Sequence, residues 1–329
     1  MQVKVSVIIP FFNAAEHLEG CAASLLKQNL HGLELIFVND CSTDRSLKVL
    51  EETIRKFSNH HIAVKVIQHK KTLGVACSRN SGLLHATGLY VGWVDADDWV
   101  DENMFFDLYG RAVETKADIV WSPFFMDFKD KQYLDEQRIT ENKHNYMTAL
   151  IRGEMQGMLW NKLFLRAVIT GNQLGFLPGC NMGEDRNFLF KVLFYSRKIA
   201  RESNSFYHYV QSNPTAMTRD IRMERVYEEI ANNDDIVRFI KDQKISSISK
   251  RDLNDFLANG KRRLLLSSDI ADFKRWREIH PETNTLVWHI KFPLHYRILG
   301  FCASKEIWFP VICWINLKKA LYRVKGGKK

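Results

Sequence analysis

The chain has 329 residues, enough to bury a large core and to hold one domain of roughly 210 residues with an appendage, or two domains. Its 46% hydrophobic and 26% charged residues are those of a soluble globular protein, and its six scattered cysteines, with no CxxC, exclude a disulfide framework or zinc site and fit a reducing cytoplasm. Almost all of the formal +9 charge lies in residues 291–329, where nine Lys or Arg accompany the single acid Glu306; the near-neutral remainder, with no recognition motif, speaks against nucleic acid.

In chain order, residues 3–10 read as a strand ending at Pro10, which starts so early that no signal peptide is expected ahead of it. Residues 14–28 carry Leu18, Cys21, Ala22, Leu25 and Leu26 at helical spacing. A second strand, 33–38, ends at Asn39-Asp40-Cys41-Ser42-Thr43-Asp44, where Ser42 or Asp44 is placed to cap a helix running to about Phe57. A third strand spans 62–67. A helix then follows Gly74 through Ala76, Arg79, Asn80 and Gly82 to about Ala86. Alternation of strand and helix over a hundred residues predicts right-handed crossovers and a mostly parallel sheet.

The most informative segment comes next, Gly88-Leu-Tyr-Val-Gly-Trp-Val-Asp95-Ala-Asp97-Asp98-Trp-Val. An apolar run of strand length stops at three carboxylates within four positions. Open α/β sheets bind ligands at the carboxyl ends of their strands. Carboxylates so close repel one another unless a cation lies among them, and magnesium-type ions are held by one or two carboxylates together with substrate phosphates. This segment is thus either a metal-bridged phosphate site or a solvated acidic turn capping the next helix. Asp40, also at a strand end, favours the first reading, because one crevice then holds both.

These residues resemble a known family. Val5-Ser-Val-Ile-Ile-Pro-Phe-Phe-Asn13, Phe37-Val-Asn-Asp-Cys-Ser-Thr-Asp44, Gly74-Val-Ala-Cys-Ser-Arg-Asn-Ser-Gly82 and Asp95-Ala-Asp-Asp98 look like successive signatures of the family 2 glycosyltransferases, inverting enzymes of the GT-A fold. Trp160-Asn-Lys-Leu-Phe164, Gly183-Glu-Asp185 and Tyr207-His-Tyr-Val-Gln211 match later landmarks, so the resemblance covers about residues 3–218.

The resemblance implies an α/β fold of the GT-A nucleotide-diphospho-sugar transferase type, with a mostly parallel Rossmann-like sheet and a helical C-terminal extension. The implied organisation is a GT-A domain over 1–218, a helical extension over 219–290 and a basic aromatic segment over 291–329. Phe12 matches a position, usually Tyr, whose ring stacks on the donor's uracil, and Asp40 the acid that accepts from base or ribose. Pro10, Asn13, Gly74, Arg79 and Ala96 match other donor-side positions. Asp95 and Asp97 match the Asp-x-Asp that meets the ribose and a Mn2+ or Mg2+ ion on the diphosphate, a Lewis acid for the departing group. Asp98 reads as a supporting acid or helix cap. Asp185 matches the general base, with Glu184 orienting it or sharing the role. The implied substrates are a nucleotide-diphosphate sugar, of UDP type, and a glycan or lipid-linked acceptor.

Departures and competing readings belong beside these roles. Asn39 and Cys41 replace the Asp and Gly of the commoner form, and Cys41 removes a residue that tolerates positive φ cheaply. Arg79 and Asn80 equally suit a solvated helix face. Trp160 and Lys162 equally suit a buried ring and a surface lysine. Glu184-Asp185 alone is also what a helix N-terminus favours. The diphosphate-covering segment 211–219 is only loosely matched, and His208, just before it, and Arg219 are the candidates for the diphosphate. His60 and His61 have no metal-ligand spacing. Two rivals remain: a catalytically inactive nucleotide-sugar-binding protein, and a sugar nucleotidyltransferase. The latter is disfavoured because no glycine-rich, lysine-bearing loop follows the first strand.

Beyond residue 218, residues 224–240 and 253–267 have helical spacing, Lys261-Arg262-Arg263 reads as a phosphate patch or a solvated face, and Pro281 is placed to end a helix. Residues 291–329 interleave their cations with Phe292, Tyr296, Phe301, Trp308, Phe309, Trp314 and Tyr322. The longest uncharged apolar-rich run there, 307–317, falls short of the ~20 residues a spanning helix needs. That pattern predicts a segment lying in a membrane interface on the cytoplasmic face, or a C-terminal helix that packs on the body and ends in a solvated tail.

Overall fold

A computed structural model describes residues 2–57, 61–137, 142–204, 206–213, 222–290 and 292–326, with side chains as far as 320. The chain forms two compact units, Met1–Leu150 with Met155–Arg219 and Ile151–Glu154 with Asp220–Lys329.

In the first unit, β1 (Val5–Phe11), β2 (Leu33–Asn39), β3 (Ile62–Gln68) and β4 (Tyr90–Trp93) run parallel, joined by α1 (Leu18–Leu26), α2 (Ser46–Lys56) and α3 (Val75–His85). Every residue of β1 and β2 is buried, which is why both read as unbroken apolar runs. Pro10 lies inside β1, beyond Ile8, where pairing with β4 stops. Its missing N–H therefore costs no ladder bond on that side. Helix α1 starts later than its spacing suggested. The amides of Ala14 and Ala15 donate instead to Ser46 Oγ (2.8 Å) and Asp44 Oδ2 (3.2 Å), tying this turn to the loop after β2. Asp44 also accepts from the Ser46 amide at 2.9 Å, so it serves the start of α2, whereas Ser42 Oγ accepts from the Asn13 amide.

After β4 the chain forms β5 (Trp99–Val100), α4 (Met104–Thr115), β6 (Ile119–Trp121), β7 (Phe124–Asp127), β8 (Gln132–Asp135), α5 (Lys143–Arg152), β9 (Lys162–Leu165), α6 (Arg166–Gly171), α7 (Glu184–Tyr195), β10 (Ile199–Arg201) and β11 (Tyr207–Val210). The main sheet has seven strands in the order β10-β6-β9-β4-β1-β2-β3, and β9 alone runs against its neighbours. A second sheet, β5-β11-β7-β8, carries the segment after the acidic turn. This is the mostly parallel GT-A architecture, with β4 near its centre and its carboxyl end at Asp95.

The second unit is helical: α8 (Met223–Asp242), α9 (Lys250–Lys261), α10 (Ile270–Glu278), α11 (Leu294–Ser304) and α12 (Trp308–Gly326), with 3-10 turns at Arg262–Leu266 and Pro281–Trp288. Ser249 caps α9 by accepting from the Asp252 amide. Helix α10 stops at Glu278, and Pro281 opens the following 3-10 turn, where its missing N–H is unneeded. Leu264, Leu265, Phe273, Trp276, Val287 and Val311 form the middle of its core. Trp308 and Trp314 pack against that core, while Phe309, Ile312 and Leu317 face outward. Lys261 fits neither sequence reading. It is fully buried and donates to Ile279 O, His280 O and Asn284 Oδ1. Among the described residues no helix is long and apolar enough to cross a membrane.

Candidate functional site

The ends of β1, β2 and β4 and the N-termini of α3 and α7 bring the sequence-predicted residues together. At the end of β1, Phe11 is buried in the core while Phe12 is 47% exposed. Asn13, at φ +47°, turns the chain and accepts from the Thr43 amide at 2.8 Å. Asn39 accepts from the Ser42 amide at 2.8 Å, so the amide that replaces the commoner Asp still shapes the loop. Cys41 retains the positive φ, +63°, without a glycine. That conformation costs an L-residue roughly 1–2 kcal/mol.

Asp40 is nearly buried. Its Oδ1 lies 2.8 Å from His69 Nδ1 and accepts from the Leu73 amide at 2.9 Å. Its Oδ2 accepts from the Gly74 amide at 2.8 Å. Gly74 has φ +89°, and a Cβ there would collide with the side chain of Asn181, whose Oδ1 accepts from the Ala76 amide. Glycine is therefore needed for both conformation and room. Ala96 is buried within the acidic turn.

That turn is built from behind. Tyr207 donates its hydroxyl to Asp98 Oδ2 at 2.6 Å and accepts from the Asp95 amide at 3.2 Å, and the Val210 amide donates to Asp98 Oδ1 at 2.8 Å. Trp160 stacks on Tyr207 with ring centroids 4.2 Å apart. Trp160 is thus a buried support, and Asp98 is a supporting acid. Asp98 caps no helix, since α4 begins after Asn103. Asp97 accepts from Asn213 Nδ2 at 2.7 Å.

Arg79 is neither a solvated residue nor open toward the crevice. It is 3% exposed, and its Nη1 donates to Glu184 Oε1 at 2.6 Å and to Asp185 Oδ1 at 2.5 Å, while Nη2 reaches Asp95 Oδ1 at 3.3 Å. One guanidinium therefore joins the acid after β4 to the acid pair that opens α7. Gly183, at φ +78°, starts that helix, whose dipole favours both carboxylates.

The charge balance is nonetheless negative. Burial pushes Asp95 up to about 6; Arg79 opposes this, and Asp97 and Glu184 add to it. Burial together with Asp95 and Asp97 raises Asp98 well above the carboxylate range. Asp185 is likewise raised, chiefly by burial, with Arg79 acting against it. Lys162 is fully buried, not a surface lysine. Its Nζ donates to Met158 O and Asn161 Oδ1, and burial lowers it to about 7, with Asp185 pulling the other way.

Among the described residues no group of three or more His, Cys, Asp or Glu forms a metal cage. The excess of carboxylate around Asp95 and Asp97 suits an ion shared with a phosphorylated substrate better than one enclosed by protein alone. His208 is held elsewhere, stacked 3.4 Å from Trp99 and 3.1 Å from Asp127 through Nδ1. Arg219 and His60 lie outside the described residues. Sequence reasoning missed His69 and its partner Ser81, whose Oγ lies 2.9 Å from Nε2. They stand 29 and 41 residues from Asp40, too far for any local pattern to announce them.

Comparison with known proteins points the same way. The family described as Glycosyl transferase family 2 matches residues 6–189. EpsH of Bacillus subtilis (strain 168), named as a putative glycosyltransferase, is 30% identical over 212 residues, covering 62% of this chain and 60% of that protein. The cholesterol galactosyltransferase of Borreliella burgdorferi is 32% identical over 218 residues, 62% of this chain and 59% of its own. This chain thus spans about three fifths of both relatives. Among solved structures, Staphylococcus aureus TarS 1–349 in complex with UDP-GlcNAc superposes with a TM-score of 0.68 at 18% identity, covering 92% of this chain and 89% of that one, a likeness of fold.

Proposed function

Because the chain belongs to glycosyl transferase family 2, we propose that it moves a hexose or N-acetylhexosamine from a nucleotide-diphosphate sugar, of UDP type, to a hydroxyl of a glycan or lipid-linked acceptor, with inversion. The observation that carries this reading is the Arg79 bridge. It links Asp95, on the proposed donor side, to Asp185, the proposed base, and so holds both acids in one cluster.

In this mechanism the exposed face of Phe12 supports the base, and Asp40 accepts from it. Asp95 and Asp97 would hold a Mn2+ or Mg2+ ion, which would supply charge stabilisation to the departing nucleoside diphosphate. Asp185 takes the proton of the acceptor hydroxyl as that oxygen bonds to the anomeric carbon and the carbon–oxygen bond to the diphosphate breaks. A raised carboxyl suits a base working near neutral pH, and Arg79 acts against the rise that burial causes. Glu184 shares Nη1 of Arg79 and so orients the guanidinium rather than the substrate.

For the acceptor, the second unit supports a lipid surface. Phe309, Ile312 and Leu317 are exposed on α12, Leu294, Ile298 and Phe301 on α11, and Ile307 between them, and the cations Lys305 and Lys319 are exposed as well. A relative named for transfer to cholesterol is in keeping with that choice.

A thermal-shift series of nucleotide sugars with and without Mn2+ tests the donor and the ion together. A ligand at a hundred times its Kd adds about 2.7 kcal/mol to stability. We expect UDP and UDP-sugars to raise the melting temperature in the presence of Mn2+ and to do so weakly without it. No response to any nucleotide in either condition would sink the reading.

A further inference from the structure

We propose that His69 is a positioning residue that fixes the donor's base as uracil by occupying one oxygen of Asp40. The inference rests on the reading above, in which Asp40 receives the base, and adds to it a reason for the choice of base.

A carboxylate has about four acceptor positions, two on each oxygen. In Asp40 the amides of Leu73 and Gly74 take one on each oxygen. His69 Nδ1, 2.8 Å from Oδ1, takes the second on that oxygen. One position remains, on Oδ2. The ring cannot readily change its role. Its Nε2 lies 2.9 Å from Ser81 Oγ, so with the hydroxyl donating to Nε2, the Nδ1–H points at Asp40. The His69 side chain is 8% exposed, and Ser81 is fixed on α3, the helix whose N-terminal loop supplies the Leu73 and Gly74 amides.

The chemistry of the bases then decides. Uracil presents a single N–H, at N3, and one open position satisfies it. Guanine presents N1–H and the N2 amino group side by side, a fork that matches a carboxylate only when both oxygens are open. With Oδ1 filled, one guanine donor enters a nearly buried site without a partner, at a cost that corresponds to roughly a fivefold to hundredfold loss of affinity. Without His69, Asp40 would offer one position on each oxygen, which is the complement of guanine.

Titration of the full-length protein with UDP and with GDP, each with Mn2+, reads this as a ratio of affinities. The wild type should bind UDP roughly fivefold to hundredfold more tightly than GDP. His69→Ala should bring the ratio close to one, mainly by improving GDP. His69→Asn, whose amide donor stands where Nδ1 stands, should restore it. Ser81→Ala frees the tautomer and should lower the ratio partway, and it decides the matter if His69→Ala does not fold. A merely structural histidine would weaken both nucleotides together, so an unchanged ratio in folded His69→Ala, or in Ser81→Ala where that variant decides, overturns the proposal. So does a wild type that prefers GDP. A wild type that binds neither nucleotide removes the function itself, a result distinguishable from the loss of selectivity alone.

Discussion

Arg79, in the first unit, is 3% exposed, and Phe309, in the second, is 77% exposed. Each is where its chemistry resists being. Around Arg79 the first unit has gathered the buried Glu184 and the half-buried Asp95 and Asp185, with desolvation lifting Asp95 and Asp185 above their ordinary range. Along α11 and α12 the second unit leaves a run of apolar side chains in water. Lys261 marks the contrast from within. It is as buried as Arg79, but its partners are two backbone carbonyls and an amide oxygen, so it closes a local structure and gathers no acids. Misplaced charge in one unit and misplaced apolar surface in the other are the observations on which the two proposed partners rest, a phosphorylated donor that shares a cation with the acids and an apolar boundary.

The largest effect is expected where the misplaced charge does chemistry. Asp185→Asn keeps the size of the side chain and its place beside Arg79 but cannot accept a proton. Transfer should fall by roughly 10²–10⁴ while donor affinity stays within a few-fold. Near-normal turnover would mean that another group is the base. Arg79→Met probes the same cluster through folding. Removing the cation that bridges these half-buried and buried carboxylates costs up to about 3–5 kcal/mol, because the remaining charges lose much of their compensation. Chemical denaturation should show that loss at neutral pH and recover part of it in mild acid, where Asp95 and Asp185 protonate. The sign follows from their raised values: protonation is easier in the folded state, so stability improves as pH falls; Asp95 is pushed up to about 6 with Arg79 in place, and losing the cation moves the recovery to higher pH. A midpoint indifferent to the substitution would mean that the cluster is already neutral without Arg79.

How far each feature could be read in advance follows from the same physics. Strands β1, β2 and β4 and helix α1 were legible because buried parallel strands are unbroken apolar runs and a crossover helix carries a regular stripe, whereas β3 is an edge strand with only Ile62 buried. Strand β9 was not, since it has four residues and opens on Lys162, a cation that local pattern assigns to the surface. The carboxylates were legible as strand-end acids. Their coupling was not. Arg79 sits 16 residues before Asp95 and 105 before Glu184, and only the folded sheet brings α3 against α7. The same holds for His69, whose role depends on how many acceptor positions the loop amides have already used. In the second unit, helical spacing was legible, yet which side of α12 faces the core was not: Trp308 and Trp314 turn inward, and Phe309 and Ile312 turn out.

The smallest effect belongs to that outward face, and it separates the two meanings an exposed apolar surface can have. On a helix, positions 309, 312, 313, 316 and 320 share one side, and Val311 and Ile315 occupy the other, where both are buried. Phe309→Ser should therefore leave folding unchanged, since the ring touches nothing that the core needs. If the face lies in a lipid boundary, the same change removes an aromatic from the acyl region, on the order of 1.5–3 kcal/mol, or roughly tenfold or more in partition. Lys305 and Lys319 would add about 1 kcal/mol each on anionic lipid. Co-flotation with phosphatidylserine-containing vesicles should then exceed that with neutral vesicles, weaken about tenfold in Phe309→Ser, and weaken less in Lys319→Ser. If the wild type floats with neither kind of vesicle, the apolar face has no lipid partner, and the contrast between the two units reduces to charge alone.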